Sequence, residues 1–190
     1  MTQITMLEDE ATREGLAKDC FQTPDWAVEA IAPMLPREWR YWEPCAGKGN
    51  IVRCMRRNGF DIVGSDIRGR SDYAPFERVD YLQGDIEGYD AAVTNPPYSC
   101  YGDFLRKAFE YGKPFAFLLP DSAMDSEKRY PLIKSHGADV SLVYLPERVR
   151  FETPRGRTGA DSKPQYMVFW LCYKMPVQYL CGSHGRAVWL

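Results

Sequence analysis

The sequence predicts an α/β fold in which helices cover both faces of a mostly parallel sheet. Short apolar runs alternate along the chain with segments whose apolar residues recur at helical spacing, which is the pattern of strand–helix–strand units. The length of 190 residues suits a single domain, because domains typically hold about 150 residues. A glycine-rich turn directly follows the first apolar run, and open α/β sheets bind ligands at that end of their strands.

The first predicted element is a helix that begins near residue 23. Residues 1–20 are polar and charged, so they are expected to form a loose lead-in. Thr23 is a good N-cap and Pro24 suits the first helical position, so together they predict the start of a helix. Apolar residues at helical spacing between Trp26 and Met34 give this helix a buried side.

Seven strands and three more helices are predicted to follow. The predicted strands span residues 40–43, 61–67, 81–84, 89–94, 114–119, 140–145 and 166–174. The predicted helices span residues 50–58, 101–111 and 126–135. A long polar loop joins the last two strands without a helix, so the last strand is expected to run antiparallel to its neighbour. Residues 176–190 are expected to form a C-terminal tail.

The composition excludes several classes of protein. A formal net charge of −2 argues against a polybasic, histone-like protein, although local charge can still bind nucleic acid. The longest apolar runs, 115–119 and 166–173, are far shorter than the roughly 20 residues that span a bilayer. The N-terminus lacks the features of a secretory signal. The six cysteines contain no C-x-x-C pair, which predicts free thiols, a cytoplasmic location and no metal site.

The glycine-rich turn, residues 43–49, is a candidate ligand site. Glycine allows positive φ and a close approach of ligand to backbone. Asp66 and Asp85 end the next two predicted strands, and an acidic residue after the second strand can accept hydrogen bonds from a ribose. A dinucleotide site would need glycine at Val52, and a phosphate-binding loop would need Ser or Thr at Gly49. The pattern favours S-adenosylmethionine, and a purely structural turn is the alternative.

A second motif, Asn95-Pro96-Pro97-Tyr98, follows an apolar run and is predicted to lie at the carboxyl end of a strand. Two adjacent prolines fix two φ angles and remove two amide donors, which leaves a stiff loop that presents carbonyl oxygens. The Asn95 oxygen and a proline carbonyl can each accept one N–H bond, and the Tyr98 ring can stack on a planar group. The motif suits a planar ligand with an NH₂ group, and the alternative is a proline turn that only ends the strand.

Together the two motifs resemble those of S-adenosylmethionine-dependent amino-methyltransferases, above all the N6-adenine DNA methyltransferases. The resemblance begins at Phe21-Gln22-Thr23-Pro24 and covers about residues 20–174. The Arg150-Phe151 pair and the arginine-rich loop after it are similar to a pattern in small phage and prophage methyltransferases. The resemblance implies a Rossmann-like class I methyltransferase fold with S-adenosyl-L-methionine as the cofactor.

The resemblance also implies a role for each residue that matches a family motif. The implied cofactor contacts are Phe21, Thr23, Pro24, Glu43, Pro44, Cys45, Ala46, Gly47, Gly49, Asp66, Ile67, Asp85, Ile86 and Asn95. The implied catalytic residues are Asn95, Pro96, Pro97 and Tyr98. The implied substrate contacts are Tyr98, Arg150, Phe151, Arg155 and Arg157.

The implied activity is methyl transfer to the N6 amine of adenine in DNA, on a flipped-out or single-stranded base. The catalytic domain is expected to fill residues 21–175, which leaves no room for a separate target-recognition domain. Three expectations follow: specificity is low, a protein partner or a second copy of the chain supplies it, or the substrate is something other than duplex DNA. Methylation of adenine in RNA and methylation of glutamine in protein are the alternative activities, because both use the same chemistry. A catalytically silent module that binds cofactor or nucleic acid is the alternative outside enzymes.

Overall fold

The computed structural model describes residues 21–68, 76–84, 86–125, 127, 129–152, 167–176 and 186–189. The lead-in predicted for residues 1–20 lies outside these ranges, as does the polar loop after residue 152. Within them the chain forms one mixed sheet with helices on both faces. The four cysteines of these ranges, Cys45, Cys54, Cys100 and Cys172, are free thiols, as predicted.

The helices and strands have the following bounds. The α-helices are α1 (Asp25–Glu29), α2 (Asn50–Arg57), α3 (Tyr101–Tyr111) and α4 (Arg129–Ser135). Short 3-10 helices cover Ala32–Met34, Asp121–Ala123 and Gly137–Asp139. The strands are β1 (Arg40–Glu43), β2 (Asp61–Gly64), β3 (Ala91–Thr94), β4 (Phe115–Pro120), β5 (Val140–Tyr144), β6 (Val168–Tyr173) and β7 (Arg186–Trp189). Among the helices of the described ranges, none has both the length and the apolar character that crossing a bilayer requires.

The sheet order is β2-β1-β3-β4-β6-β5-β7. The first four strands in this order pair in parallel. β6 inserts between β4 and β5 and pairs antiparallel with both, so the prediction of an antiparallel strand near the C-terminus is confirmed. β7 pairs antiparallel with the outer edge of β5. The carboxyl ends of β1, β2, β3 and β4 therefore meet at one edge of the sheet.

One predicted strand is not formed, and one strand of the sheet lies where no strand was predicted. Residues 81–84 form a turn and not a strand. The Asp80 carbonyl accepts hydrogen bonds from the backbone N–H groups of Gln83 and Gly84, and the Asp80 side chain accepts one from Leu82. These local bonds use the amides that a sheet would need. The seventh strand is instead β7, which lies in the segment predicted to be a C-terminal tail.

Alternate residues of the central strands pack on opposite faces of the sheet. Tyr41 of β1 joins the apolar cluster beneath α1 and α2, whereas its neighbour Trp42 joins the cluster beneath α3 and α4. β4 is buried along its whole length. Ala116 and Leu118 belong to the first cluster, and the alternate residues Phe115, Phe117 and Leu119 belong to the second. Side chains of a strand alternate between faces, so a strand covered on both sides is apolar throughout.

Helix α1 begins one residue later than predicted. Pro24, with φ −70° and ψ 149°, is the N-cap, and no side chain caps the helix, so the N-cap role predicted for Thr23 is wrong. The Pro24 carbonyl accepts a hydrogen bond from the backbone N–H of Ala27 at 3.1 Å. Thr23 is buried, and its carbonyl accepts a bond from the Asn50 side chain at 3.3 Å. The segment before α1 is thereby attached to the start of α2.

Trp170 fixes the other side of α1 to the sheet. Its side chain is fully buried in β6, and Nε1 donates to the Ala27 carbonyl at 2.9 Å. Trp170→Phe removes the donor and leaves that carbonyl without its partner, so we expect the free energy of unfolding to fall by about 1–3 kcal/mol. Urea unfolding followed by circular dichroism measures the change. Tyr130→Phe, at a side chain 42% exposed, is the control, and an equal effect in both variants would contradict the role of Trp170.

Candidate active site

The carboxyl ends of β1, β2 and β3 open into one cavity of about 270 Å³. Its wall combines the residues that follow each of these strands with the segment before α1. The lining residues are Phe21, Gln22, Pro44, Cys45, Gly47, Asp66, Ile67, Arg68, Val79, Asp80, Tyr81, Leu82, Asn95, Pro97, Cys100 and Phe104. The structure thus brings the predicted cofactor turn and the Asn-Pro-Pro-Tyr motif into a single site.

The turn between β1 and α2 has a backbone that requires glycine. Gly47 has φ +51° and Gly49 has φ +86°, which is the left-handed region that other residues rarely adopt. A Cβ atom at position 47 would also lie 2.7 Å from Nε2 of Gln22. The backbone N–H of Gly47 donates to Oδ2 of Asp66 at 2.9 Å. The turn is therefore attached to the end of β2 and packs closely under the segment before α1.

Asp66 is 5% exposed and accepts hydrogen bonds from both of its neighbours in the cavity wall. Besides the Gly47 bond, the backbone N–H and Nε of Arg68 each donate to Oδ1 at 2.9 Å, and Nη2 of Arg68 donates to Oδ2 at 3.3 Å. A carboxylate offers about four acceptor sites, and these donors use them. A hydroxyl group that binds Asp66 must therefore replace bonds from the Arg68 side chain.

Glu43 lies behind the cavity wall, and the cofactor contact implied for it stays a prediction. Its side chain is fully buried and does not line the cavity. Oε1 accepts hydrogen bonds from the backbone N–H of Cys45 at 3.1 Å and from the Thr94 hydroxyl, while Oε2 has no partner among the described residues. Burial raises the pKa of Glu43 to about 8. At neutral pH Glu43 is thus an uncharged group that joins the ends of β1 and β3.

Cys45 lines the cavity as an uncharged thiol. Burial, and next the carboxyl group of Glu43, raise the pKa of Cys45 well above its ordinary value. A thiol reacts as a nucleophile in its thiolate form. The cavity wall at Cys45 therefore provides shape and no reactive anion.

Asn95 lies in the cavity wall and carries a buried acceptor that is unpaired among the described residues. This acceptor is the Oδ1 atom of its side chain. Buried polar atoms are nearly always paired. The position of Oδ1 therefore suits a ligand that donates an N–H bond.

Aromatic rings pack together at the end of the Asn-Pro-Pro-Tyr motif. The Phe151 ring lies edge-on to the Tyr98 ring at 6.1 Å between centroids and edge-on to the Phe21 ring at 6.4 Å. The Tyr98 ring also meets the Tyr101 ring at 6.3 Å. Phe151 is 7% exposed, and Arg150 beside it is exposed. The structure thus joins Phe21 of the predicted cofactor segment with Tyr98 and Phe151 of the predicted substrate site.

Several predicted residues lie away from the cavity wall. Ile86 lines a separate depression with Arg40 and Glu87 near β2, and the cofactor contact implied for it stays a prediction. The remaining predicted residues of the described ranges that do not line the wall are Thr23, Pro24, Ala46, Gly49, Pro96, Tyr98, Arg150 and Phe151. The predicted residues outside the described ranges are Asp85, Arg155 and Arg157.

Half of the cavity wall consists of residues that no sequence motif predicted as site residues. These lining residues are Gln22, Arg68, Val79, Asp80, Tyr81, Leu82, Cys100 and Phe104. Gln22 lies inside a motif already singled out, and Arg68 is two residues after Asp66, so adjacency to a motif was an available signal. Tyr81 and Phe104 have the apolar pattern of core residues, and their rings stack at 4.8 Å. No local pattern separates such a residue from one that faces a cavity.

The sheet order and the three loops at its edge define the class of this fold. The chain has the fold of class I S-adenosylmethionine-dependent methyltransferases. A Listeria monocytogenes protein described as a member of that class superposes with a TM-score of 0.55 at 14% identity, over 81% of this chain and 60% of that one. The M protein of the type I restriction enzyme EcoKI superposes with a TM-score of 0.54 at 12% identity, over 86% of this chain and 45% of that one.

One sequence similarity points in the same direction. The chain is 25% identical over 130 residues to the type II methyltransferase M.EcoRI of Escherichia coli. The match covers 62% of this chain and 39% of the relative, so the chain spans about two fifths of that protein. No protein-family model matches the chain.

The buried Glu43 carboxyl group gives a testable pH dependence. Because its pKa is raised from 4.5 to about 8, the native protein keeps a proton that the unfolded chain releases. The stabilisation of the folded state that this bound proton provides is complete below about pH 4.5 and is lost as the pH rises through about 8. Glu43→Gln has no such titration, so we expect the stability of the wild type to decline relative to this variant as the pH rises. Urea unfolding across this range measures the difference.

The control for this comparison is Glu110→Gln, at an exposed side chain of α3. It should follow the wild-type pH dependence. Parallel stability curves for the wild type and Glu43→Gln would contradict a protonated Glu43.

Proposed function

We propose that the chain is an S-adenosylmethionine-dependent methyltransferase that modifies the N6 amine of adenine in DNA, on a flipped-out or single-stranded base. The observation that carries this proposal is the buried Oδ1 of Asn95, which belongs to a residue of the cavity wall and has no partner among the described residues. It lies in a stiff proline motif at the carboxyl end of β3. An amine with two N–H donors fits this acceptor together with the neighbouring Pro96 carbonyl.

The acceptors would make the amine more reactive. The exocyclic nitrogen of adenine is a poor nucleophile because its lone pair is delocalised into the ring. When Asn95 Oδ1 and the Pro96 carbonyl accept its two N–H bonds, the nitrogen moves toward tetrahedral geometry and the lone pair becomes available. Pro96 and Pro97 fix their φ angles, so the acceptors need little reorganisation. The rate then depends mainly on the alignment of the amine with the methyl group, and the methylated amine releases one proton to water.

The cavity residues fit the proposed cofactor. Phe21 and Ile67 offer apolar surface, Gly47 permits a close approach to the backbone, and Asp66 can accept hydrogen bonds from ribose hydroxyls. S-adenosylmethionine supplies a methyl group that its sulfonium makes electrophilic. Arg68 would release part of its contact with Asp66 when those hydroxyls bind, because the four acceptor sites of the carboxylate are in use. Glu43 would support the turn from behind.

The choice of DNA is supported by the similarity to a type II methyltransferase and to the M protein of a restriction enzyme. A base in a duplex must leave the stack to reach such a cavity, at a cost of a few kcal/mol. The exposed Arg150 beside Phe151 suits contact with the phosphate backbone. An aromatic ring at the end of the Asn-Pro-Pro-Tyr motif suits stacking of the extruded base.

A methyl-transfer assay tests the proposal. The purified chain is incubated with S-adenosylmethionine labelled in its methyl group and, separately, with duplex DNA, single-stranded DNA, total RNA and protein extract. We expect label in DNA, on N6-methyladenine after enzymatic digestion. Asn95→Ala should reduce the rate by at least about 100-fold, since a preorganised hydrogen-bonding group at the reacting atom typically contributes that much.

Two controls separate chemistry from folding. Asn95→Ala should still bind S-adenosylhomocysteine in calorimetry, and Asn58→Ala, at the far end of α2, should keep the wild-type rate. Label in RNA alone or in protein alone would overturn the DNA proposal. Absence of cofactor binding by the wild type would overturn the enzyme proposal and leave a silent module.

Phe151 is proposed to contact the target base, so its removal should affect methyl transfer more than cofactor binding. We expect Phe151→Ala to lower kcat/KM for DNA by at least about fivefold, since a base–aromatic stack contributes about 1–3 kcal/mol and 1 kcal/mol is about fivefold in rate. Calorimetry with S-adenosylhomocysteine should show a smaller change in Kd. Phe60→Ala, at a similarly buried ring packed on Tyr41, controls for lost packing. Equal losses of DNA turnover and cofactor affinity would contradict this role of Phe151.

A further inference from the structure

The segment ending at Glu152 lies between the two halves of the site. Phe151 packs against Tyr98 of the proposed catalytic motif and against Phe21 of the cavity wall. The next residue, Glu152, contacts the glycine-rich turn through Lys48. Two consecutive residues thus touch the proposed base-binding side and the proposed cofactor-binding side.

Glu152 is held by both its side chain and its backbone. Its Oε1 lies 2.6 Å from Nζ of Lys48, and the two side chains are 28% and 31% exposed. Its backbone exchanges two hydrogen bonds with Gln22, at 3.0 and 3.2 Å. Oε1 of Gln22 in turn accepts a bond from the backbone N–H of Lys48 at 2.9 Å. Gln22, Lys48 and Glu152 therefore form a closed set of contacts around the turn.

We propose that Glu152 is a positioning residue, which acts through Lys48 to hold Phe151 against Tyr98 when the cofactor occupies the turn. This inference rests on the methyltransferase function proposed above. Lys48 lies between Gly47 and Gly49, whose backbone must fit a bound cofactor closely. A shift in this turn reaches Glu152 through the ion pair with Lys48. It then reaches Phe151, because Phe151 directly precedes Glu152 in the chain.

The strength of the ion pair suits local positioning better than global stability. Partly exposed ion pairs stabilise a fold only slightly, so the loss of this pair should leave the folded state intact. The local opening of a short segment has a much smaller free energy than global unfolding. An interaction that is minor for the whole domain can therefore decide how often residues 149–152 leave their place.

Hydrogen exchange with and without S-adenosylhomocysteine tests the coupling. In the wild type, saturating S-adenosylhomocysteine should slow exchange in the turn at residues 47–49 and also, by about fivefold, at residues 149–152. Fivefold is the low end of typical coupling between sites. In Glu152→Ala and Lys48→Met, protection of the turn should persist, while the effect at 149–152 should fall below about twofold. The charge-swapped double variant Lys48→Glu/Glu152→Lys should restore part of it.

The matched control is Asp25→Asn, which breaks the Asp25–Arg57 ion pair of the same 2.6 Å length away from the cavity. It should keep the wild-type coupling, and the melting temperatures of all single variants should stay close to that of the wild type. Equal protection of 149–152 in the wild type and in the Lys48 and Glu152 variants would overturn the inference. Protection confined to the turn in the wild type would overturn it while leaving the proposed function intact. Failure of S-adenosylhomocysteine to bind the wild type would overturn both.

Discussion

The buried carboxyl group of Glu43 joins β1 and β3 at the point where both parts of the site begin. Its Oε1 atom accepts two hydrogen bonds, one from the backbone N–H of Cys45 just after β1 and one from the Thr94 hydroxyl at the end of β3. Because burial keeps a proton on Glu43 at neutral pH, this connection avoids the large cost of a buried charge. The glycine-rich turn and Asn95 each follow directly, so one neutral group sets the spacing between them.

The parallel arrangement of β1, β2 and β3 converts this spacing into a site. Parallel strands bring their carboxyl ends to one edge, so segments that are distant in the chain share a single cavity. The Gly47–Asp66 hydrogen bond then fixes the turn against the loop after β2. Asp66 already uses its acceptor sites on Gly47 and Arg68. Binding at Asp66 is therefore an exchange of partners and not the filling of an idle group.

The sequence predicts elements well where strong local signals bound them. The bounds of β1 and α3 match the predictions. Gly112 follows the last residue of α3 as its C-cap, and its φ of +67° suits that position. The strand predicted at residues 81–84 is wrong. Tyr81 is buried because its ring stacks on Phe104, and it does not pair in the sheet. Burial has the same appearance in a sequence whether a strand or a turn provides it.

The two sides of the site differ in how far the sequence could predict them. The cofactor side is built from contiguous motifs after β1 and β2, so spacing alone locates Gly47 and Asp66. The depth of Glu43 and the contact of Lys48 with Glu152, 104 positions away, depend on the packed fold and have no local signature. The proposed substrate contacts Tyr98 and Phe151 pack together, and Phe151 also packs on Phe21 of the cavity wall, although the three rings come from distant parts of the chain. Local motifs therefore fix the proposed chemistry, whereas long-range packing determines which amine can approach it.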